Sequence, residues 1–155
     1  MRDDVGASDD PDSQQYRGTE ALSELETRGL QTLLQSSGLI ALIDLHSFGS
    51  KVLLPKPDEA VVPIEQYERL GSFLVESLGD PYALITTEDL YPISGHLAGQ
   101  ADALGVVGIT LEIGRAFQPH PSKVSRLVET TSQGLLQALE LWLAERLSSD
   151  SFQQT

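Results

Sequence analysis

The sequence has no cysteine, which excludes a disulfide-stapled scaffold, a thiolate zinc site and a cysteine nucleophile. It is poor in positive charge: 10 Lys and Arg face 23 Asp and Glu, a formal charge of −13. Phosphate backbones are bound by clustered cations, and no basic run occurs, so nucleic acid is not an expected partner. Long apolar runs are missing too. The longest, Leu39 to Leu45, is interrupted by Asp44 and falls far short of the roughly 20 residues of a spanning helix, so no membrane partner is expected. Met1-Arg2-Asp3-Asp4 lacks the basic-then-apolar order of a signal peptide, and the composition assigns no compartment. What is present suits one globular domain: 155 residues, 40% hydrophobic and 21% charged.

Residues 1–15 hold five Asp with almost no apolar periodicity and read as an acidic, disordered lead-in. From residue 16 the pattern alternates. Thr19 is placed to cap a helix carrying Ala21, Leu22, Leu25, Leu30, Leu33 and Leu34, closed by Gly38. Leu39 to His46 is a nearly continuous apolar run, the pattern of a strand buried on both faces. Val52 to Leu54 predicts a short strand, and Ile64, Tyr67, Leu70, Phe73, Leu74 and Leu78 predict a helix stopped by Gly79-Asp80-Pro81. A strand over Tyr82 to Ile85, a helix over His96 to Leu104, a strand over Val106 to Ile113 and a final helix from Ser122 complete the order. Such alternation predicts an α/β domain over 16–148, a mixed, mostly parallel sheet flanked by helices, with 149–155 as a frayed tail.

Charged groups inside apolar strands require an explanation, because desolvating a charge costs several kcal/mol. His46 and Glu112 close two separate apolar runs, and carboxyl ends of strands are where open α/β sheets bind ligands. The plain alternative for His46 is a core histidine with its hydrogen bonds satisfied. Asp44 shares the His46 face at period two and is able to orient the imidazole, or else pairs with a buried Arg or with backbone amides. General bases are often carboxyls desolvated by apolar neighbours, which is the functional reading of Glu112; an ion pair with Arg115 is the other. Tyr91 lies in a Pro/Gly turn, where a phenol serves either as a mobile donor or as packing. His96 and His120 read as solvated surface residues.

Several segments, in order, resemble the zinc metallocarboxypeptidases of the carboxypeptidase A and B type, the M14 peptidases. They are Tyr16-Arg17-Gly18, Ser23-Glu24-Leu25-Glu26, Leu45-His46-Ser47-Phe48 with Leu54-Pro55, Leu90-Tyr91-Pro92-Ile93-Ser94-Gly95, Thr110-Leu111-Glu112-Ile113 and Phe117-Gln118-Pro119. The resemblance implies zinc as cofactor and peptide C-termini as partners. It implies that His46 is the third zinc ligand, that Glu112 is the catalytic glutamate and that Tyr91 closes over substrate. Ser47 takes a backbone role beside substrate by the same carry-over. Leu97 and Ala98 fall near the pocket floor, which implies an apolar or aromatic C-terminal side chain. Members of this family are often secreted.

The departures bear equally on function. The family's first two zinc ligands come from a His-x-x-Glu motif, and His46, His96 and His120 all lack a glutamate at i+3. Arg2 sits in no motif matching the family's substrate-binding arginines. The chain thus resembles the downstream half of the domain, incomplete at the N-terminal side of the fold and expected to be inactive alone. Its cut sheet is expected to expose an edge near the His46 strand and to self-associate there. Two other functions fit the residues: a non-catalytic homologue that binds peptides, and an aspartoacylase-type zinc deacylase.

Overall fold

A computed structural model describes residues 8–14, 16–36, 38–90 and 95–152. The elements run α1 (Leu25–Ser36), β1 (Ala41–His46), β2 (Lys51–Leu54), α2 (Ile64–Leu78), β3 (Ala83–Thr86), α3 (Thr87–Leu90), α4 (Leu97–Ala103), β4 (Val107–Glu112) and α5 (Pro121–Phe152). The strands form one sheet in the order β1-β4-β2-β3. β1 is parallel to β4 and β2 to β3, while β2 and β4 are antiparallel, so the sheet is mixed and mostly parallel as the alternation predicts.

Period two along the strands separates the two faces. Ala41 and Ile43 of β1, Val52 and Leu54 of β2 and Val107, Ile109 and Leu111 of β4 point to one face. There α2 contributes Tyr67, Leu70 and Leu74 and α5 contributes Ala138 and Trp142, and together they make the main core. α4 covers the opposite face. A Cβ at Gly108 would run into the Ala98 carbonyl oxygen, so the absent side chain is what lets α4 lie against β4. A smaller cluster of Leu34, Ala101 and Val106, with Leu42 and Leu97 packed beside it, joins α1 and α4 to β1.

One buried network ties these layers. The Asp102 carboxylate accepts the Val61 N–H (3.0 Å), the Val62 N–H (2.9 Å) and the Tyr67 hydroxyl (2.6 Å). The end of α4 is thereby fastened to the entrance of α2. Burial, and then the carboxylate it faces, hold the Tyr67 phenol firmly in its neutral form by raising its pKa.

Several expectations need correction. β1 is an edge strand, half-buried along most of its length and exposed at Leu45 and His46, rather than buried on both faces, because among the described residues β4 alone pairs with it. The first helix starts at Leu25 and not after Thr19, since Leu22 adopts a left-handed φ of 60° that a continuous helix excludes. The described part of the lead-in is ordered locally: Arg17 grips Asp9 at 2.7 and 2.9 Å, and Ser8 bridges to Tyr16. α5 runs to Phe152, through much of the expected tail, because no Gly or Pro follows Gly134 to stop it. No helix among the described residues is long and apolar enough to cross a membrane.

Candidate active site

The site residues lie where the sheet's register brings them. His46 and Glu112 are direct partners across the parallel β1–β4 pair, each the last residue of its strand. Asp44, two residues before His46, shares its face, which is the face α4 covers. The chain folds this way locally because the apolar residues that alternate with these three, Ile43 on β1 and Ile109 and Leu111 on β4, are drawn to the α2/α5 core. The polar residues are then left on the other side. Lys51 opens β2 directly opposite Glu112. The 47–50 turn folds back on β4, with the Gly49 N–H (3.0 Å) and the Ser50 hydroxyl (2.9 Å) donating to the Gly114 carbonyl. The Ser47–Phe48 peptide in that turn is cis.

His46 is half exposed, its side chain at 51%, and its Nε2 lies 3.1 Å from Asp44 Oδ2. This is the carboxylate-to-imidazole arrangement that fixes a tautomer: a proton held on Nε2 by Asp44 leaves the Nδ1 lone pair available to coordinate. A buried arginine partner for Asp44 is not among the described residues' ion pairs, and its carboxylate is spent on His46. Glu112 is half-buried, and its Oε2 is shielded from solvent with no hydrogen-bond partner among the described residues. The ion pair with Arg115 is not formed. An orphaned carboxylate oxygen beside an oriented imidazole is costly for a purely structural site and suited to receiving a proton.

His96 is not the solvated residue expected. It is the N-cap of α4, its Nδ1 accepting the Gly99 N–H at 3.1 Å, and it is half-buried. Desolvation is the main cause of its lowered pKa, with the His46 imidazole acting the same way and the Asp44 carboxylate opposing both. The start of α4 therefore sits within electrostatic reach of the Asp44–His46 pair. His120 is exposed, 2.8 Å from the Ser122 hydroxyl.

The remaining expectations fall unevenly. Ser47 is exposed beside His46. Leu97 packs in the small cluster with Leu34, Ala101 and Val106, and Ala98 is buried against β4, so both sit on the helix that covers the site's face. Tyr91 lies outside the described residues, as do Pro92, Ile93 and Ser94. Thr86 just before it donates its N–H and hydroxyl to Asp89 (3.0 and 2.8 Å), bonds that lower the Asp89 pKa. Sequence reasoning missed two polar residues, Lys51 and Asp102. The signal for Asp102 was an acid on a helix whose neighbours Leu97, Ala98 and Ala101 are apolar.

A catalytic zinc takes three protein ligands and keeps the fourth position open. On this chain the donor set is one oriented imidazole, and among the described residues no group of three or more His, Asp or Glu converges to hold a metal. These residues do not fit a zinc by themselves.

A family model for zinc carboxypeptidases matches residues 2–134. The bovine thrombin-activatable fibrinolysis inhibitor, in complex with a tick carboxypeptidase inhibitor, has a similar structure, with a TM-score of 0.75 and 18% identity over 90% of this chain and 52% of that one. A crystal structure of thrombin-activatable fibrinolysis inhibitor matches with a TM-score of 0.68 and 20% identity, over 90% of this chain and 38% of that one. The chain thus spans about half or less of the length of these two proteins. The family match across most of the sequence, on a fold that sets His46 and Glu112 side by side, establishes that the chain belongs to the zinc carboxypeptidase family.

Proposed function

We propose that this chain carries the downstream part of the active site of a zinc carboxypeptidase, which releases C-terminal amino acids from peptides. The observation that carries the reading is the pairing of His46, oriented by Asp44, with Glu112, whose buried Oε2 has no partner. In this reading His46 would hold the metal as one of several ligands, its Nε2 being taken by Asp44. Glu112 accepts the proton of the attacking water and later returns it to the departing amine, so the carboxylate ends the cycle as it began. Tyr91 and the backbone at exposed Ser47 hold the peptide, and the apolar preference carried over from Leu97 and Ala98 is left to the substrate assay, since both side chains pack inward here. Zinc comes with the family and needs further ligands besides His46, so this reading expects no hydrolysis from the chain alone.

The test is to join an upstream carboxypeptidase half bearing the His-x-x-Glu pair to this chain and assay a blocked dipeptide with an apolar C-terminus. Chelator-sensitive hydrolysis abolished by Glu112→Gln is expected. Hydrolysis that survives Glu112→Gln would remove Glu112 from its role.

The lack of any His-x-x-Glu motif favours one second reading, a homologue that binds peptide C-termini without metal. Its signature is binding that persists in chelator and is lost in Tyr91→Phe. An N-acyl amino acid assay on the joined protein separates the peptidase from the deacylase.

A further inference from the structure

At the other end of the sheet, and on its other face, the chain has a groove of about 280 Å³ that the carboxypeptidase reading does not use. Leu39 and Ile40, which lead into β1, form one wall, Val61 and Pro63 before α2 form another, and Gln66 and Arg146 close it. β1 separates it from His46 by its whole length, roughly 20 Å at the rise of a strand. The apolar wall is open to solvent, with Ile40 at 46% and Val61 at 66% exposure.

The polar end of the groove is a cation for which the described residues supply no anion. The Arg146 guanidinium stacks on the Trp142 ring, 4.7 Å from its centroid, and donates through Nη1 to the neutral Gln66 Oε1 at 2.5 Å. No carboxylate pairs with it among the described residues, although acids outnumber cations 23 to 10 along the chain. Its helix neighbour Glu145 is taken by Arg69 at 2.6 Å. A guanidinium has five N–H donors in a rigid fork matched to a carboxylate, and stacking on Trp142 and the bond to Gln66 pre-set its orientation. With a net charge of −13 the surface as a whole repels anions, and among the described residues Arg146 is the one cationic side chain lining the groove.

We propose that this groove binds a monocarboxylate bearing an alkyl or aryl body, with the carboxylate on Arg146 and the body against Leu39, Ile40 and Val61. A free organic acid and the C-terminal carboxylate of a peptide ending in an apolar residue present this same chemistry. The site shares no residue with the His46–Glu112 pair.

The experiment titrates the whole chain with octanoate, followed by the fluorescence of Trp142, the one tryptophan in the sequence, and by the amide NMR shift of Val61. Octanol carries the body without the charge, acetate the charge without the body, and N-acetyl-Leu-Leu the peptide form. Saturable octanoate binding is expected, at least about tenfold tighter than either octanol or acetate, with a loss of about tenfold in Arg146→Gln and partial retention in Arg146→Lys. Stronger binding of the acetyl peptide than of octanoate identifies the peptide form as the ligand, and the reverse order the free acid. Equal binding of octanol and octanoate, unchanged binding in a folded Arg146→Gln, or no saturation by about 10 mM would each overturn the proposal. So would sedimentation showing that a second copy of the chain fills the groove.

Discussion

The two sides of the sheet's centre differ sharply in how they are finished. Around β2 and β4, the α2/α5 layer leaves Val52, Tyr67, Leu70, Leu74, Ile109 and Leu111 with essentially no exposure. Around β1, α1 buries only Leu34, and Leu25, Leu30, Leu33, Leu39, Ile40 and Leu45 remain exposed. Among the described residues the ladder of β1 runs to β4 alone. The Val107 N–H reaches the Ile40 carbonyl and the Ile113 N–H reaches that of His46, so in a parallel ladder the even residues face β4 and Ala41, Ile43 and Leu45 turn their amides to the open edge. One side is a finished core and the other a strand with half its partners. The His46–Glu112 site straddles that boundary, with Glu112 on the finished side and His46 on the open one.

The comparison breaks most easily from the finished side. Trp142→Ala empties the core under α5 and should cost about 3–5 kcal/mol, read as a lower denaturant midpoint at unchanged slope. Truncating Leu33 on α1, 54% exposed, should move that midpoint by no more than about 0.5 kcal/mol, and equal effects at the two positions would erase the distinction between the sides. Tyr67→Phe leaves the Asp102 carboxylate short of one donor, for an expected loss of about 1–3 kcal/mol by the same measurement. Gly108→Ala sets a methyl on the Ala98 carbonyl and pushes α4 off the sheet, for about 1–3 kcal/mol, with the amide NMR shifts of residues 96–99 moving the most.

The open side should respond in association rather than in folding. Leu45→Lys places a charge on an exposed side chain of the edge strand; it should leave stability nearly unchanged and suppress concentration-dependent self-association in sedimentation. A wild-type chain that stays monomeric at high concentration would show the edge to be protected already.

The smallest effect is a pH dependence at the junction. Burial lowers the His96 pKa in the folded chain, so the unfolded chain binds its proton at higher pH. Stability should therefore fall as pH drops through the ordinary histidine value, about 6.5, and level off below the depressed folded value. Protonation also removes the Nδ1 lone pair that accepts the Gly99 N–H, with Asp44 softening the effect and His46 adding to it. His96→Asn keeps a capping acceptor and should flatten this part of the pH profile.

How much of this was legible in the sequence follows the same divide. α2 and β4 carried their own evidence: a helical apolar period closed by Gly-Asp-Pro, and an apolar run ending in Glu112. Period two placed Asp44 and His46 on one face, and the structure chose their contact over an arginine or backbone partner for Asp44. The burial of β1 is not legible, because an apolar run reports what a strand is built to bury, not what is present to cover it. The capping role of His96 is not legible either, because it depends on where α4 begins, a detail no periodicity reveals. The Lys51–Glu112 register and the Asp102 network join residues far apart in sequence, through an antiparallel pairing and a loop that carry no local signal.

If His46 and Glu112 act as proposed, the described residues carry one zinc ligand beside the proton acceptor and no complete metal site. The deciding experiment is a zinc titration of the purified chain beside His46→Ala. Weak, substoichiometric zinc uptake and no chelator-sensitive hydrolysis are expected. Tight, stoichiometric zinc that disappears in His46→Ala would contradict it, because two further ligands would then have to lie on this chain or on a second copy.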